Sequence, residues 1–131
     1  MTSKWILGGV AWAGVVIVTA VILKMAQANH AITADTATRA MQVVIGLGMA
    51  VYANFMTKEP TKPPPTERGG RMQAARRVTA WALLVAGLAY AAAWALAPDP
   101  FDVILSIAAV GAAAVVSIGN AIRSLGGLKA R

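Results

Sequence analysis

The side chains that could do chemistry are few. Cysteine is absent, which removes thiolate metal sites, iron–sulfur clusters, disulfides and cysteine nucleophiles. His30 is the single histidine. Haem held between two histidines would need a second one facing it, and His30 with the nearby Asp35 supplies too few ligands for a specific metal site. The acids are Asp35, Glu59, Glu67, Asp99 and Asp102. No serine–histidine–acid set, glycine-rich phosphate loop or paired carboxylates within an apolar run can be assembled from these residues. The expectation is a protein without catalytic activity and without a cofactor.

The polar groups inside the apolar runs are Thr19, Gln42, Tyr52, Asn54, Tyr90, Ser106, Ser117 and Asn120. Asn54 and Asn120 each follow a small residue near the same end of their helices, so they should sit at similar depth and could hydrogen-bond across a bundle. Such contacts glue helices together, at about 0.6–2 kcal/mol each. The sharper reading is a ligand or ion site, in which Gln42, Tyr52 and Tyr90 would join the two asparagines.

These residues must be positioned by helices built for lipid. Hydrophobic residues make up 58% of the chain and charged residues 13%, with a mean hydropathy of +0.64. A soluble domain carries about 25% charged residues; here charge is scarce and confined between apolar runs. Four runs approach the spanning length of roughly 20 residues, at 5–23, 40–57, 78–97 and 102–122, with a proline-rich basic loop at 58–77. The fold class expected is all-α, a four-helix integral membrane bundle. No Asp, Glu, Lys, Arg or His is expected in its interior, which argues against a proton-coupled exporter relying on a buried carboxylate.

Orientation follows from the Lys and Arg distribution. Lys4 precedes the first run, and Lys24 and Arg39 lie in the first loop. Lys58, Lys62, Arg68, Arg71, Arg76 and Arg77 fill the second, and Arg123, Lys129 and Arg131 end the chain. With the N-terminus in the cytoplasm, 1 + 6 + 3 = 10 positive residues lie inside and two outside, so the positive-inside rule predicts N-in, C-in. The net charge of +7 is accordingly read as facing anionic headgroups rather than nucleic acid. One competing reading takes Ala26-Gln27-Ala28 as a signal-peptidase site; cleavage there would leave three spans.

Helix ends can be read as well. Asp99 can cap the fourth helix, with Pro100 at its first position and Asp102 at the positive end of its dipole. The third loop is then a tight turn, and helices three and four are antiparallel neighbours. Gly126-Gly127 would stop the fourth helix. Pro60 and Pro63-Pro64-Pro65 predict an extended segment, and Arg71–Arg77 a basic helical lead-in to the third span. Trp5, Phe55 and Trp81 would mark the inner interface, Trp94 and Phe101 the outer one. Trp12, lying deeper, reads as a packing residue.

Gly9/Ala13, Gly46/Ala50 and Gly87/Ala91 form small-xxx-small pairs that allow close helix approach, within one chain or between chains. Lys58, Lys62, Arg68, Arg71, Arg76 and Arg77 either set topology only or contact anionic lipid or a cytoplasmic partner.

Ile45-Gly46-Leu47, followed by Tyr52-Ala53-Asn54-Phe55-Met56-Thr57-Lys58, resembles the G-L…G-N-[YF]-x-x-K helix end of SdpI-type membrane proteins. Arg76-Arg77-Val78-Thr79-Ala80-Trp81 stands in a comparable order. The similarity covers about a third of the chain, and Pro63–Arg71 replaces the family's N-x-x-G-I-R-T-P-W segment. The resemblance implies an immunity or signalling role, with Gly46, Asn54 and Lys58 as the family-like positions. The functional expectation is a multi-pass protein of the bacterial inner membrane that binds another membrane protein or peptide, or further copies of itself. The alternatives are a small oligomeric transporter or channel for a neutral or cationic solute, and a structural subunit of a larger complex.

Reporter fusions after residues 30, 66, 99 and 131 check the orientation. Alkaline phosphatase should be active at 30 and 99 only; activity at 66 or 131 contradicts N-in, C-in.

Overall fold

The computed structural model describes residues 2–58 and 67–126. Lys62, the proline segment and Gly127 lie outside the described residues, as do the side chains of Trp5 and Arg68. The described residues form four helices: α1 Thr2–Ala28, α2 Ala34–Lys58, α3 Glu67–Leu96 and α4 Phe101–Gly126. Their 27, 25, 30 and 26 residues rise about 37–45 Å at 1.5 Å per residue, more than the roughly 30 Å of a bilayer's hydrocarbon core. Three helices, over Ile6–Ala28, Gly69–Leu96 and Phe101–Gly126, are long and apolar enough to cross a membrane. In α2 the apolar run is interrupted at both ends, by Asp35, Arg39 and Gln42 and by Asn54 and Lys58.

Each helix outgrows the apolar run that nucleates it, because its end groups are satisfied locally. His30 has a φ of 57°, the left-handed conformation that commonly follows a helix. His30 N donates to Gln27 O at 3.0 Å and Ala31 N to Ala26 O at 2.9 Å, closing a Schellman motif. The lone histidine thus serves as a backbone stop. Thr33 caps α2: its Oγ1 accepts from Thr36 N at 3.2 Å and its carbonyl accepts from Ala37 N at 3.0 Å. The basic lead-in continues α3 without a break, and the helix begins at Glu67, so Gly69 and Gly70 are helical rather than part of an irregular loop. At α4 the cap shifts by one residue. Pro100 O accepts the first helical bond, from Ile104 N at 3.3 Å, placing Pro100 at the cap position expected for Asp99. Phe101 N and Asp102 N both point at Pro98 O, at 2.8 and 3.4 Å, which makes the third loop the tight turn expected.

Helix α3 is central, with α2 packed along one side and α4 along another; α1 touches only α2. The buried core is made of alanines: Ala50, Ala53, Ala80, Ala86, Ala91, Ala93 and Ala113. So small a side chain brings backbones together, and the closest approach joins two of the three small-residue pairs. A Cβ added at Gly46 would lie 2.8 Å from both Ala91 N and Gly87 O, and one at Gly87 would lie 2.6 Å from Gly46 O and 2.7 Å from Ala50 N. Gly46/Ala50 therefore mates with Gly87/Ala91 inside the chain. The third pair does not mate: Gly9 has nothing within 4 Å of where its Cβ would stand, and Ala13 is exposed. Trp12 is the packing residue its depth implied; its indole fills the space over Gly48, where a Cβ would overlap the ring.

Gly87→Ala and Gly46→Ala should each destabilise the protein by about 1–3 kcal/mol through overpacking. Gly14→Ala, in open space, should be neutral or slightly stabilising. Unfolding in detergent micelles followed by circular dichroism measures the difference; equal stabilities would show that the α2–α3 approach is not a holding contact.

Candidate functional site

The densest polar constellation lies where the N-termini of α2 and α4 meet the C-terminus of α3. Arg39, in the second turn of α2, reaches all three. Its Nε donates to Asp35 Oδ2 at 2.9 Å, an i,i+4 pair on one helix face. Nη1 donates to Ala97 O at 2.8 Å and Trp94 O at 3.3 Å, carbonyls at the end of α3 that have no further turn to bond to. Nη2 pairs with Asp102 Oδ2 at 2.9 Å. Asp102 is buried, with 4% of its side chain exposed against 23% for Arg39. Its other oxygen accepts from Val103 N at 2.7 Å. One turn on, the buried Ser106 donates its hydroxyl to Val103 O at 2.9 Å.

Each charge suits the helix end that it faces. A cation favours the negative, C-terminal end of α3, and carboxylates favour the positive first turns of α2 and α4. The planar guanidinium, with donors diverging in one plane, can address two carboxylates and two carbonyls together, which a lysine ammonium on one stem cannot match. The expected interior without ionisable groups is therefore corrected. Asp102, read from the sequence as a helix-end residue, is buried and forms an ion pair with the partly exposed Arg39, read as a loop residue, across helices 63 positions apart (102 − 39). The i,i+4 spacing of Asp35 and Arg39 was the available signal, but it pointed to a surface pair.

Gln42 continues the α2 face one turn deeper, and Tyr90 of α3 donates its hydroxyl to Gln42 Oε1. The Tyr90 and Trp94 rings stand 6.5 Å apart at 44°. Trp94 is half-buried, whereas Phe55, Trp81 and Phe101 are exposed. At the opposite end Asn120 donates from Nδ2 to Ala75 O at 2.9 Å, so its partner on this side is the α3 backbone. With α3 standing between α2 and α4, Asn54 lies exposed on α2; it and Tyr52 are engaged in contacts of their own. Of the five candidate polar residues, Gln42 and Tyr90 thus bond across the α2–α3 seam and Asn120 across the α3–α4 seam, while Tyr52 and Asn54 are exposed on α2. Among the described residues, Trp94 Nε1 and Ser117 Oγ are buried without a hydrogen-bond partner.

The fold defines a helical protein of membrane type in which Arg39, Gln42, Tyr90, Asp102 and Asn120 make contacts between helices. No family model, curated protein or solved structure matches the chain.

Arg39→Gln should cost about 3–5 kcal/mol because the buried Asp102 loses its counter-charge, and Asp102→Asn should cost less because Arg39 keeps Asp35. Arg39→Leu with Asp102→Leu should cost clearly less than the sum of the single leucine substitutions. A double-mutant cycle on unfolding in micelles measures this; strict additivity would show that the two residues do not act as a pair.

Proposed function

We propose that this chain is a non-catalytic, multi-pass membrane protein that works by pairing its helices with those of another membrane protein or peptide. The observation that carries this reading is α1. It is a long apolar helix of which almost nothing is buried, fastened to the rest of the chain through Trp12 over Gly48 and leaving Gly9, Ala13 and Gly14 open. Between lipid-facing helices apolar burial supplies no drive, so association depends on close packing and interhelical hydrogen bonds. An open small-residue face on a loosely held helix suits such packing. The interior supports the same reading: the α2–α3–α4 unit is packed on alanine and glycine, and Gln42, Tyr90 and Asn120 are used in bonds between helices.

In this proposal the protein resides in a bacterial inner membrane with both termini in the cytoplasm, where its Lys and Arg residues collect. The partial resemblance to SdpI-type proteins makes an immunity or accessory factor the particular form proposed.

The test is extraction of C-terminally tagged full-length protein from native membranes in mild detergent, with co-purifying proteins identified by mass spectrometry. A stoichiometric membrane partner is expected with the wild type and should be lost with Gly9→Leu/Ala13→Leu, while helicity stays unchanged. If both proteins emerge alone or only as homo-oligomers, the partner reading fails. Flux assays on reconstituted protein, with Asn54 and Asn120 substituted, would then examine transport.

A further inference from the structure

Helix α1 presents two different faces. Trp12, Val16, Thr19 and Leu23, spaced by three or four residues, are part-buried toward α2. Ile6, Val10, Ala13, Ile17, Val21 and Lys24 recur at the same spacing, which keeps them on one face, and all are exposed. This second face is apolar except at its last position. Lys24 belongs to the apolar segment Ile6–Ala28, long enough to cross a membrane, and stands about one turn inside its end.

An ionisable residue within a span ordinarily pairs with an opposite charge. The other cation at this end of the molecule, Arg39, is met by Asp35 and Asp102. Among the described residues no carboxylate pairs with Lys24. Of the described acids at this end only Asp99 remains, on the turn between α3 and α4. Because α1 touches only α2, Lys24 and Asp99 of one chain stay apart. A helix laid along the open face of α1 would therefore meet an uncompensated ammonium, and a carboxylate at that depth would pair with it. A second copy could offer Asp99, but its inner charges oppose the fit. In copies of the same orientation α1 and α4 run antiparallel, so bringing Lys24 to Asp99 also brings Lys4 toward Arg123. These two exposed cations lie 20 and 24 residues down their helices (24 − 4 and 123 − 99), about one turn apart in depth. Attraction at one end is thus set against repulsion at the other, which favours a different chain as the occupant.

We infer that the helix seated on the open face of α1 is an apolar spanning helix of another membrane protein or peptide, carrying a carboxylate at the depth of Lys24. This rests on the pairing reading proposed above, and goes beyond it in stating the partner's charge and where that charge lies. Energy transfer between the full chain and a labelled alanine–leucine spanning peptide, both reconstituted in phosphatidylcholine vesicles, tests it. The peptide carries a Gly-x-x-x-Ala pair and, at the spacing from Ala13 to Lys24, either Glu or Gln. The Glu peptide should bind about 2–5-fold more tightly than the Gln peptide, the range of a solvent-accessible ion pair. Lys24→Arg should keep the preference and Lys24→Gln should abolish it. Lys24→Glu should reverse it in favour of a peptide with Lys at that position. Equal binding of the Glu and Gln peptides to the wild type, the result of a Lys24 that only reaches lipid headgroups, would overturn the inference and leave the pairing reading standing. Binding of neither peptide would overturn it too; if no membrane partner co-purifies either, the pairing reading falls with it. Energy transfer between copies of the chain that Asp99→Asn abolishes would place a second copy on α1 and likewise overturn the inference.

Discussion

A charged group withdrawn from water must find its counter-charge and hydrogen bonds within the protein, and in this molecule one guanidinium meets that requirement for three helices. Arg39 belongs to α2, ends α3 and neutralises the buried carboxylate of α4. Without it, Asp102 would be a buried charge with no counter-charge, and the last carbonyls of α3 would lose the guanidinium donor. The position of α4 against the α2–α3 pair therefore depends on an interaction whose members lie in different helices. It is concentrated at the helix ends, where macrodipoles favour the signs of charge present, so deeper in the molecule the helices can pack on alanine and glycine.

Below that level, backbone proximity replaces side-chain bulk. Gly46 and Gly87 pack against each other's backbone, a contact that larger side chains would prevent, and the buried alanines extend this spacing along α3. Dispersion forces are weak per contact but act over the whole seam. In lipid, where hydrocarbon surrounds apolar side chains in either state, such packing is the main source of helix association. The Tyr90–Gln42 and Asn120–Ala75 bonds then fix register on the two seams. The Arg39 latch closes one end of the α2–α3–α4 unit.

Helix α1 obeys neither rule. It has the composition of a membrane-spanning helix and a small-residue pair like those in α2 and α3, yet its contact with the rest of the chain is centred on one tryptophan ring over one glycine. The three pairs Gly9/Ala13, Gly46/Ala50 and Gly87/Ala91 look alike in the sequence, because spacing reports only that a helix could be approached closely. Whether anything approaches depends on a complementary surface at the right height. Gly46/Ala50 and Gly87/Ala91 provide that for each other; Gly9/Ala13 finds none among the described residues.

The sequence by itself determined the four helices, their approximate limits, the tight third loop and the basic lead-in of α3. These follow from local apolar runs, punctuating residues and the 1.5 Å rise per residue. It also determined which side chains were polar enough to matter, Gln42, Tyr90 and Asn120 among them. Tertiary structure alone decided their partners. It turned Arg39 and Asp102 from helix-flanking charges into a buried pair, gave Asn120 the Ala75 carbonyl, placed His30 in a left-handed backbone stop, and used two of three equivalent small-residue pairs. The reason is physical. Helix propensity and hydropathy are properties of neighbours along the chain, whereas an ion pair or a backbone contact depends on the relative height and rotation of two helices, which emerge only when their whole faces are packed together.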